Sequence, residues 1–351
     1  MKSGNWLVVT FIIIFVMLLS VAGLVYYVDP WFHFHGPREG IAYYLDRGNQ
    51  RYQNDGILRN MDYDCIIIGS SMVENMQTSQ VDENFGVRSV KVPYLHTSFK
   101  EAGMAIDRAL TLHPDTELVI WGLDYGNILM DKDDMWYSSY PNYMYDDSVI
   151  NDINYIYNMR TMGFLADDLL MTIKGEPSTN FDEYSAWDDD TQRGVDAILT
   201  SYSQTERIGE EHIFSDEDRQ MVEGNVTQNI IDVVNAHPNT KFNLFISPYS
   251  IYYWDSISRS GDVSRQLEAE KYMLEMLLQC ENVKVYSYFC DYEMICNPEN
   301  YYDYKHYAKE INAFIIQSMT DSEYKITNDN IDEYCDNEKQ FYINYDYENL
   351  F

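Results

Sequence analysis

Positive charge is scarce in this sequence of 351 residues, in which 24 lysines and arginines stand against 57 aspartates and glutamates. The formal net charge is −33. A surface of that sign repels the phosphate backbone of nucleic acids, so the composition disfavours nucleic-acid binding. The 32 tyrosines among many carboxylates favour a wet, sugar-binding cleft, although any wet protein interface has a similar composition.

Cysteine is also scarce, and the five cysteines are too few and too unevenly placed for a disulfide framework. The sequence is compatible with a single disulfide bridge between Cys290 and Cys296. No group of cysteines and histidines has zinc-site spacing. The His33 and His35 pair has no third ligand nearby. We therefore expect neither a structural metal nor a cofactor.

Charged residues are absent from Trp6 to Tyr27. As a helix this stretch would be roughly 33 Å long, enough to cross a hydrocarbon core of ~30 Å. Lys2 precedes it and Asp29 follows, which predicts a cytoplasmic N-terminus and an extracytoplasmic globular part. The alternative is a cleaved signal peptide, because Ser20-Val21-Ala22 has small residues at a suitable spacing. The uncleaved anchor is favoured because the apolar run continues to Tyr27.

Short apolar strands alternate with amphipathic helices along most of the chain. This order predicts an α/β fold, a three-layer parallel sheet flanked by helices, preceded by one transmembrane helix. The predicted strands cover residues 64–68, 87–92, 117–121, 241–247 and 282–288. The predicted helices cover residues 98–113, 215–237, 263–280 and 307–319.

The expected domain organisation has four parts. Residues 1–28 form the cytoplasmic stub and anchor, 29–61 a juxtamembrane connector, 62–319 the α/β domain, and 320–351 an acidic, tyrosine-rich tail that is loosely docked or mobile. Periodicity fades between 127 and 214, which predicts a long insertion over the edge of the sheet. Its cluster from Trp136 to Asp147 is equally consistent with a sugar-facing lid and with a plain solvated loop.

The first predicted strand ends in Gly69-Ser70-Ser71, followed by a helix or loop. A serine on such a strand-to-helix turn can hold its hydroxyl clear of the backbone, as a nucleophile requires. Gly and Ser are also common in ordinary connections of this kind.

Asp303 and His306 lie three residues apart, just before the last predicted helix. An acid at this spacing can hold one imidazole nitrogen while the other faces a nucleophile. In the alternative interpretation, Asp303 caps the following helix and His306 is a surface histidine.

Together, the serine turn after the first strand and the Asp-x-x-His before the last helix resemble the SGNH (GDSL-like) hydrolase superfamily. The resemblance covers residues 64–319 and implies that Ser71 is the nucleophile, His306 the general base and Asp303 its orienting acid. With the N-terminal anchor and the Ser247-Pro248-Tyr249 strand end, the chain resembles the membrane-anchored branch. That branch includes the D-alanyl-lipoteichoic acid biosynthesis protein and the alginate O-acetylation proteins.

The middle of the chain departs from the superfamily pattern. A turn with Thr97 and Ser98 stands where the superfamily has a glycine, and Asp124 stands in place of its asparagine. Asn127 is a substitute candidate for the oxyanion hole, because an ionised Asp124 would repel an oxyanion unless burial keeps it protonated. Tyr125 and Tyr249, which follow two strand ends, are the candidate substrate-binding residues.

The resemblance implies an extracytoplasmic acyltransferase or esterase that acts on O-acyl groups, chiefly acetyl, of a cell-surface polysaccharide. A membrane-bound O-acyltransferase is an expected partner. The rival interpretation is a non-catalytic protein that binds glycan, or docks such an acyltransferase, on a retained SGNH scaffold.

Overall fold

The computed structural model describes residues 3–137, 140–146, 148–187 and 192–350. The strands are β1 Cys65–Gly69, β2 Ser89–Pro93, β3 Leu118–Leu123, β4 Lys241–Ile246, β5 Val283–Tyr286 and β6 Lys325–Ile326. The helices are α1 Ser3–Val28, α2 Gln50–Asn60, α3 Thr78–Phe85, α4 Phe99–Leu112, α5 Ile153–Ile156, α6 Met159–Lys174, α7 Val195–Ser201, α8 Asp216–Val226, α9 Asp232–Ala236, α10 Ile251–Arg259, α11 Val263–Leu277, α12 Tyr292–Cys296, α13 Lys309–Asp321 and α14 Ile331–Asn344.

The six strands form one sheet in the order β2-β1-β3-β4-β5-β6. The first five are parallel, and β6 pairs antiparallel with β5. Every residue of β1, β2 and β3 is buried, which explains the continuous apolar runs of β1 and β3. The predicted α/β class with a mostly parallel sheet and flanking helices is therefore confirmed.

Two helix starts follow directly from local sequence. The Ser98 hydroxyl accepts a hydrogen bond from the Glu101 N–H and caps α4. At the start of α8, Ser215 and Asp218 form a complete capping box. Such caps satisfy backbone N–H groups that have no partner within the helix.

The described residues form two compact units. The first combines parts of Met1–Asp62 and Ser139–Asn180, and the second combines Tyr63–Ser138 and Phe181–Phe351, which include the sheet. The segment from 127 to 214, expected to be one insertion, is thus divided between the two units. Ser138, Ser139 and Asp147 of the suggested lid lie outside the described residues, as do 188–191.

In the first unit, α1 is an apolar helix in which Asn5–Val28 is long enough to cross a membrane. A sharp turn follows, in which the buried Asp29 carboxylate accepts hydrogen bonds from the backbone N–H groups of Phe34 and His35 and from the Tyr155 hydroxyl. His33 is paired with Asp152 at 2.9 Å. These contacts join the residues after α1 to α5.

All five cysteines are free, so the Cys290 to Cys296 bridge left open by the sequence does not form. The C-terminal tail also differs from the expectation. Its helix α14 packs on α11, and the Tyr342 ring stacks on Trp254 at 3.9 Å between ring centroids. Its buried residues recur every three or four positions, as on one face of a helix: Ile331, Cys335, Glu338 and Tyr342. The sequence does not show this buried face as an apolar pattern because Glu338 is charged.

Glu338 of α14 is buried close to Glu270 of α11. Burial raises the pKa of Glu270 to about 8, and burial together with the charge of Glu270 raises that of Glu338. The folded state therefore holds more protons than the unfolded state between their ordinary pKa and the raised one. Because unfolding releases those protons, stability falls as the pH rises through this window.

We predict that Glu338→Gln, which mimics the protonated acid, flattens this pH dependence and raises stability by more than ~1 kcal/mol near pH 8. Thermal unfolding across the window between pH ~4.5 and ~8 measures the effect. Glu333→Gln is the matched control, because Glu333 is exposed on the same helix. An equal response of both variants would contradict the assignment.

Candidate active site

The turn after β1 presents Ser71 at the carboxyl edge of the sheet. The Ser70 hydroxyl accepts a hydrogen bond from the Met72 N–H and caps a short 3-10 turn, Ser71–Val73. A Cβ on Gly69 would lie 2.9 Å from a Val73 methyl and 3.1 Å from the Gly122 carbonyl oxygen. Glycine is required there because these neighbours come too close for a side chain. Ser71 is the first residue of this turn, so its backbone N–H has no acceptor within the turn.

Ser71, His306 and Asp303 form a continuous hydrogen-bonded chain. The Ser71 Oγ lies 2.8 Å from His306 Nε2, and His306 Nδ1 lies 2.6 Å from Asp303 Oδ2. Ser71 is largely buried, whereas the side chains of His306 and Asp303 are each 27% exposed. Residues 235 positions apart in the chain thus meet with the geometry of a nucleophile, a base and an orienting acid.

Asp303 is held by its own loop. Its Oδ1 accepts hydrogen bonds from the backbone N–H groups of Lys305 and His306, both at 2.7 Å. Burial by itself would raise the pKa of Asp303, but the hydrogen bond and charge of His306 and these two N–H groups hold it below its usual value. The alternative role as a helix cap is wrong, because α13 begins later and Ala308 is its N-cap residue.

Trp187, which the sequence did not single out, forms a wall beside the base. Its ring meets the His306 ring edge to face, with centroids 5.5 Å apart and planes at 89°. The Asn75 side-chain oxygen accepts a hydrogen bond from the Trp187 backbone N–H at 3.0 Å. The only available signal was a tryptophan within a polar, aspartate-rich stretch.

Lys91 binds the backbone that follows the serine turn. This buried residue of β2 donates to the carbonyl oxygens of Glu74 and Met76 at 2.5 and 2.9 Å. Burial lowers its pKa to about 7, although the negative charges of Asp182 and Glu74 act to raise it. A lysine at a core position of a strand was the sequence signal for this support.

Asp124 lies at the end of β3, next to the turn of Ser71. The Tyr249 hydroxyl donates to Asp124 Oδ1 at 2.7 Å, and Ser70 also hydrogen-bonds this carboxyl. Desolvation raises the pKa of Asp124, while these hydrogen bonds and the charges of Lys305 and His306 act in the opposite direction. Burial therefore shifts Asp124 towards the protonated form relative to an exposed aspartate, and the protonated form is the one compatible with an oxyanion.

The two candidate substrate-binding tyrosines occupy supporting positions. Tyr249 is 5% exposed and hydrogen-bonds Asp124. Tyr125 is 1% exposed and packs against Trp254 and Phe289. The structure therefore places Tyr125 in the core rather than on a substrate-facing surface, because its ring fills space below the strand ends.

A lysine beside the triad is enclosed by aromatic rings. The Lys305 Nζ lies 5.2 Å from the Tyr253 centroid, 5.3 Å from that of Tyr304 and 5.8 Å from that of Tyr249. These cation–π contacts fix a positive charge near Asp124.

The Asn127 side chain is hydrogen-bonded to the turn at Thr97 and to Trp136. Its side-chain N–H₂ donates to the Thr97 carbonyl oxygen at 2.8 Å, and its side-chain oxygen accepts from the Trp136 indole at 3.1 Å. Thr97 and Ser98 also use their hydroxyls locally, at the Ser98 carbonyl and the Glu101 N–H respectively. The backbone N–H groups of Thr97 and Ser98 remain candidate donors to the oxyanion hole.

Comparison with known proteins adds no assignment. No family model matches the chain, and no curated protein matches it. Functional inference therefore depends on the geometry of the site. That geometry offers a serine hydroxyl in contact with a histidine, a carboxylate on the other ring nitrogen of that histidine, and an aromatic ring beside it.

We predict that Asn127→Ala lowers the free energy of unfolding by ~1–3 kcal/mol, because it leaves the buried carbonyl oxygen of Thr97 without its side-chain donor. Denaturant unfolding measures the structural role of Asn127. The rate at which a fluorophosphonate probe labels Ser71 under folded conditions measures any role in the oxyanion hole. A large loss of labelling with unchanged stability would instead make Asn127 an oxyanion donor.

Proposed function

We propose that this chain is an SGNH-like serine acyltransferase or esterase. The observation that carries the proposal is the Ser71–His306–Asp303 chain, with contacts of 2.8 and 2.6 Å. The strand order 2-1-3-4-5 supports it, because sheets wound in this way bind ligands where the order reverses, between β1 and β3. Ser71 follows β1 and Asp124 follows β3.

In the proposed reaction, Ser71 Oγ attacks the carbonyl carbon of an O-acyl group while His306 Nε2 takes the hydroxyl proton. The tetrahedral intermediate then collapses, and the same proton passes from His306 to the departing alcohol oxygen. An acceptor hydroxyl or water attacks the acyl-enzyme, with His306 again as base and then acid. The Asp303 carboxylate stabilises the imidazolium in each half-reaction.

The oxyanion would bind to the Ser71 N–H and to a backbone N–H from Thr97 or Ser98. Removing one such donor typically slows an enzyme by ~100-fold or more, so the second donor matters. Whether water or a sugar hydroxyl accepts the acyl group depends on how well the site excludes water.

We further propose that the substrate is an O-acetylated cell-surface polysaccharide and that α1 anchors the protein in the cell membrane with the catalytic unit outside the cytoplasm. The half-buried Trp187 offers an aromatic face beside His306. Retention of α1 is supported because its last turns belong to the first unit, where Val25 and Val28 are fully buried. A membrane-bound O-acyltransferase is the proposed partner.

We predict that a fluorophosphonate probe labels the full-length protein at Ser71 and that Ser71→Ala abolishes labelling. His306→Ala should slow labelling by at least ~100-fold, because the base is lost. Ser70→Ala is the matched control. It removes the adjacent hydroxyl, which caps the turn, and should keep the nucleophile. Mass spectrometry of the adduct and hydrolysis of an aryl acetate provide the measurements.

Labelling of Ser71→Ala at the wild-type rate would contradict the assignment of the nucleophile. A folded wild-type protein that neither reacts nor hydrolyses the ester would favour the second candidate, a non-catalytic glycan-binding or acyltransferase-docking protein. The engagement of Asn127 with Thr97 is the observation that favours this second candidate.

We also predict that Asp124→Asn labels at least as fast as wild type, because the amide keeps the shape of the protonated acid and removes the charge. Labelling rates measured across a range of pH test this. A slower reaction of the variant at every pH would show that the carboxylate charge itself is needed.

A further inference from the structure

The first unit exposes an unusual amount of apolar surface outside α1. Six large apolar side chains around α5 and α6 are between 53% and 85% exposed: Val149, Ile150, Ile153, Met159, Leu170 and Ile173. Folded proteins in water rarely expose apolar patches of this extent unless the patch binds something.

On α6 the exposed apolar residues form a stripe. Met159, Gly163, Ala166, Leu170 and Ile173 are spaced alternately by four and three residues and are all exposed. The opposite face, with Thr161, Phe164, Leu165 and Asp168, is buried in the unit. Helix α6 therefore has two apolar faces, and only one of them has a partner within the described part of this unit.

This surface lies beside α1. The Tyr157 hydroxyl, between α5 and α6, donates to the backbone carbonyl oxygen of Leu18 at 3.0 Å. Both α5 and α6 pack against α1. Leu18 is ten residues before the end of α1 at Val28.

The length of α1 determines the depth of this contact. From Asn5, where the apolar segment begins, to Leu18 there are 14 residues, which span ~21 Å at ~1.5 Å per residue. A hydrocarbon core is ~30 Å thick. If α1 spans it, Leu18 lies at least ~9 Å inside the core, and any tilt of the helix places it deeper.

The polar groups of this region are compatible with such a position. Tyr157 is paired with Leu18, Asp152 with His33, and the Asn158 side chain caps α6 at the Arg160 N–H. The exposed charges of α6, Arg160, Asp167 and Lys174, lie on the same flank of the stripe, about 60–100° from its centre at ~100° per residue.

We propose that α5, α6 and the turn carrying Ile150 form a second membrane-embedded element, with lipid acyl chains covering the exposed stripe. The proposal rests on the membrane anchoring proposed above. Amphipathic helices that lie in the interface bury their apolar face ~5–10 Å into the headgroup and acyl boundary, so the contact at Leu18 lies at the deep end of that range or beyond it. Two points of insertion would restrict rotation of this unit about α1.

Fluorescence quenching in reconstituted vesicles tests the proposal on the full-length protein. Ile150→Cys and Ile173→Cys, each labelled with NBD, are compared with Phe15→Cys in α1 and with Asp62→Cys, an exposed position at the end of the same unit. The vesicles contain phosphatidylcholine and phosphatidylglycerol, with or without doxyl-phosphatidylcholine. Wild-type protein, which has five native cysteines, gives the background labelling.

We expect doxyl lipid to quench the probes at 150, 173 and 15 to a similar degree, and iodide to quench only the probe at 62. If 150 and 173 behave like 62 while 15 is quenched by doxyl lipid, the second element is wrong and the anchor stands. If 15 also behaves like 62, the anchor fails, and the proposal with it. Protection of 150 and 173 from both quenchers would mean that another protein surface covers the stripe, which also overturns the proposal.

Discussion

The parallel pairing of β1 with β3 is the constraint on which the site depends. Ile66 and Ile68 lie opposite Val119 and Trp121, at the centre of the sheet. The chain leaves β1 towards β2 on one side and leaves β3 towards β4 on the other. The connections diverge because of this reversal, and they leave a crevice at the carboxyl ends, where the serine turn lies.

Polar side chains inside the sheet unit maintain this arrangement. Lys91 holds the backbone beyond the serine turn, Asn127 holds the turn at Thr97, and Asp303 holds its own loop. Each satisfies backbone groups that would otherwise be buried without partners, which is costly in a low-dielectric interior. In a chain with a net charge of −33, Lys91 is fully buried and Lys305 is half-buried against tyrosine rings.

The two units differ in how their apolar surface is used. The sheet unit buries its long apolar strands between helices and closes its core with α14. The first unit instead combines a buried face of α6 with an exposed stripe and a long exposed helix, α1.

Local patterns in the sequence were sufficient for the five parallel strands, the helix starts at Ser98 and Ser215, and the apolar helix α1, because each depends on near neighbours in the chain. The order of the strands, the 2.8 Å contact of Ser71 with His306, and the wall formed by Trp187 were decided only in the tertiary structure. The tertiary structure alone also decided the burial of Tyr125 and the hydrogen bond from the Asn127 side chain to the Thr97 carbonyl oxygen. The physical reason is that these contacts join residues distant in the chain, and hydrophobic periodicity carries no information about which distant side chains meet.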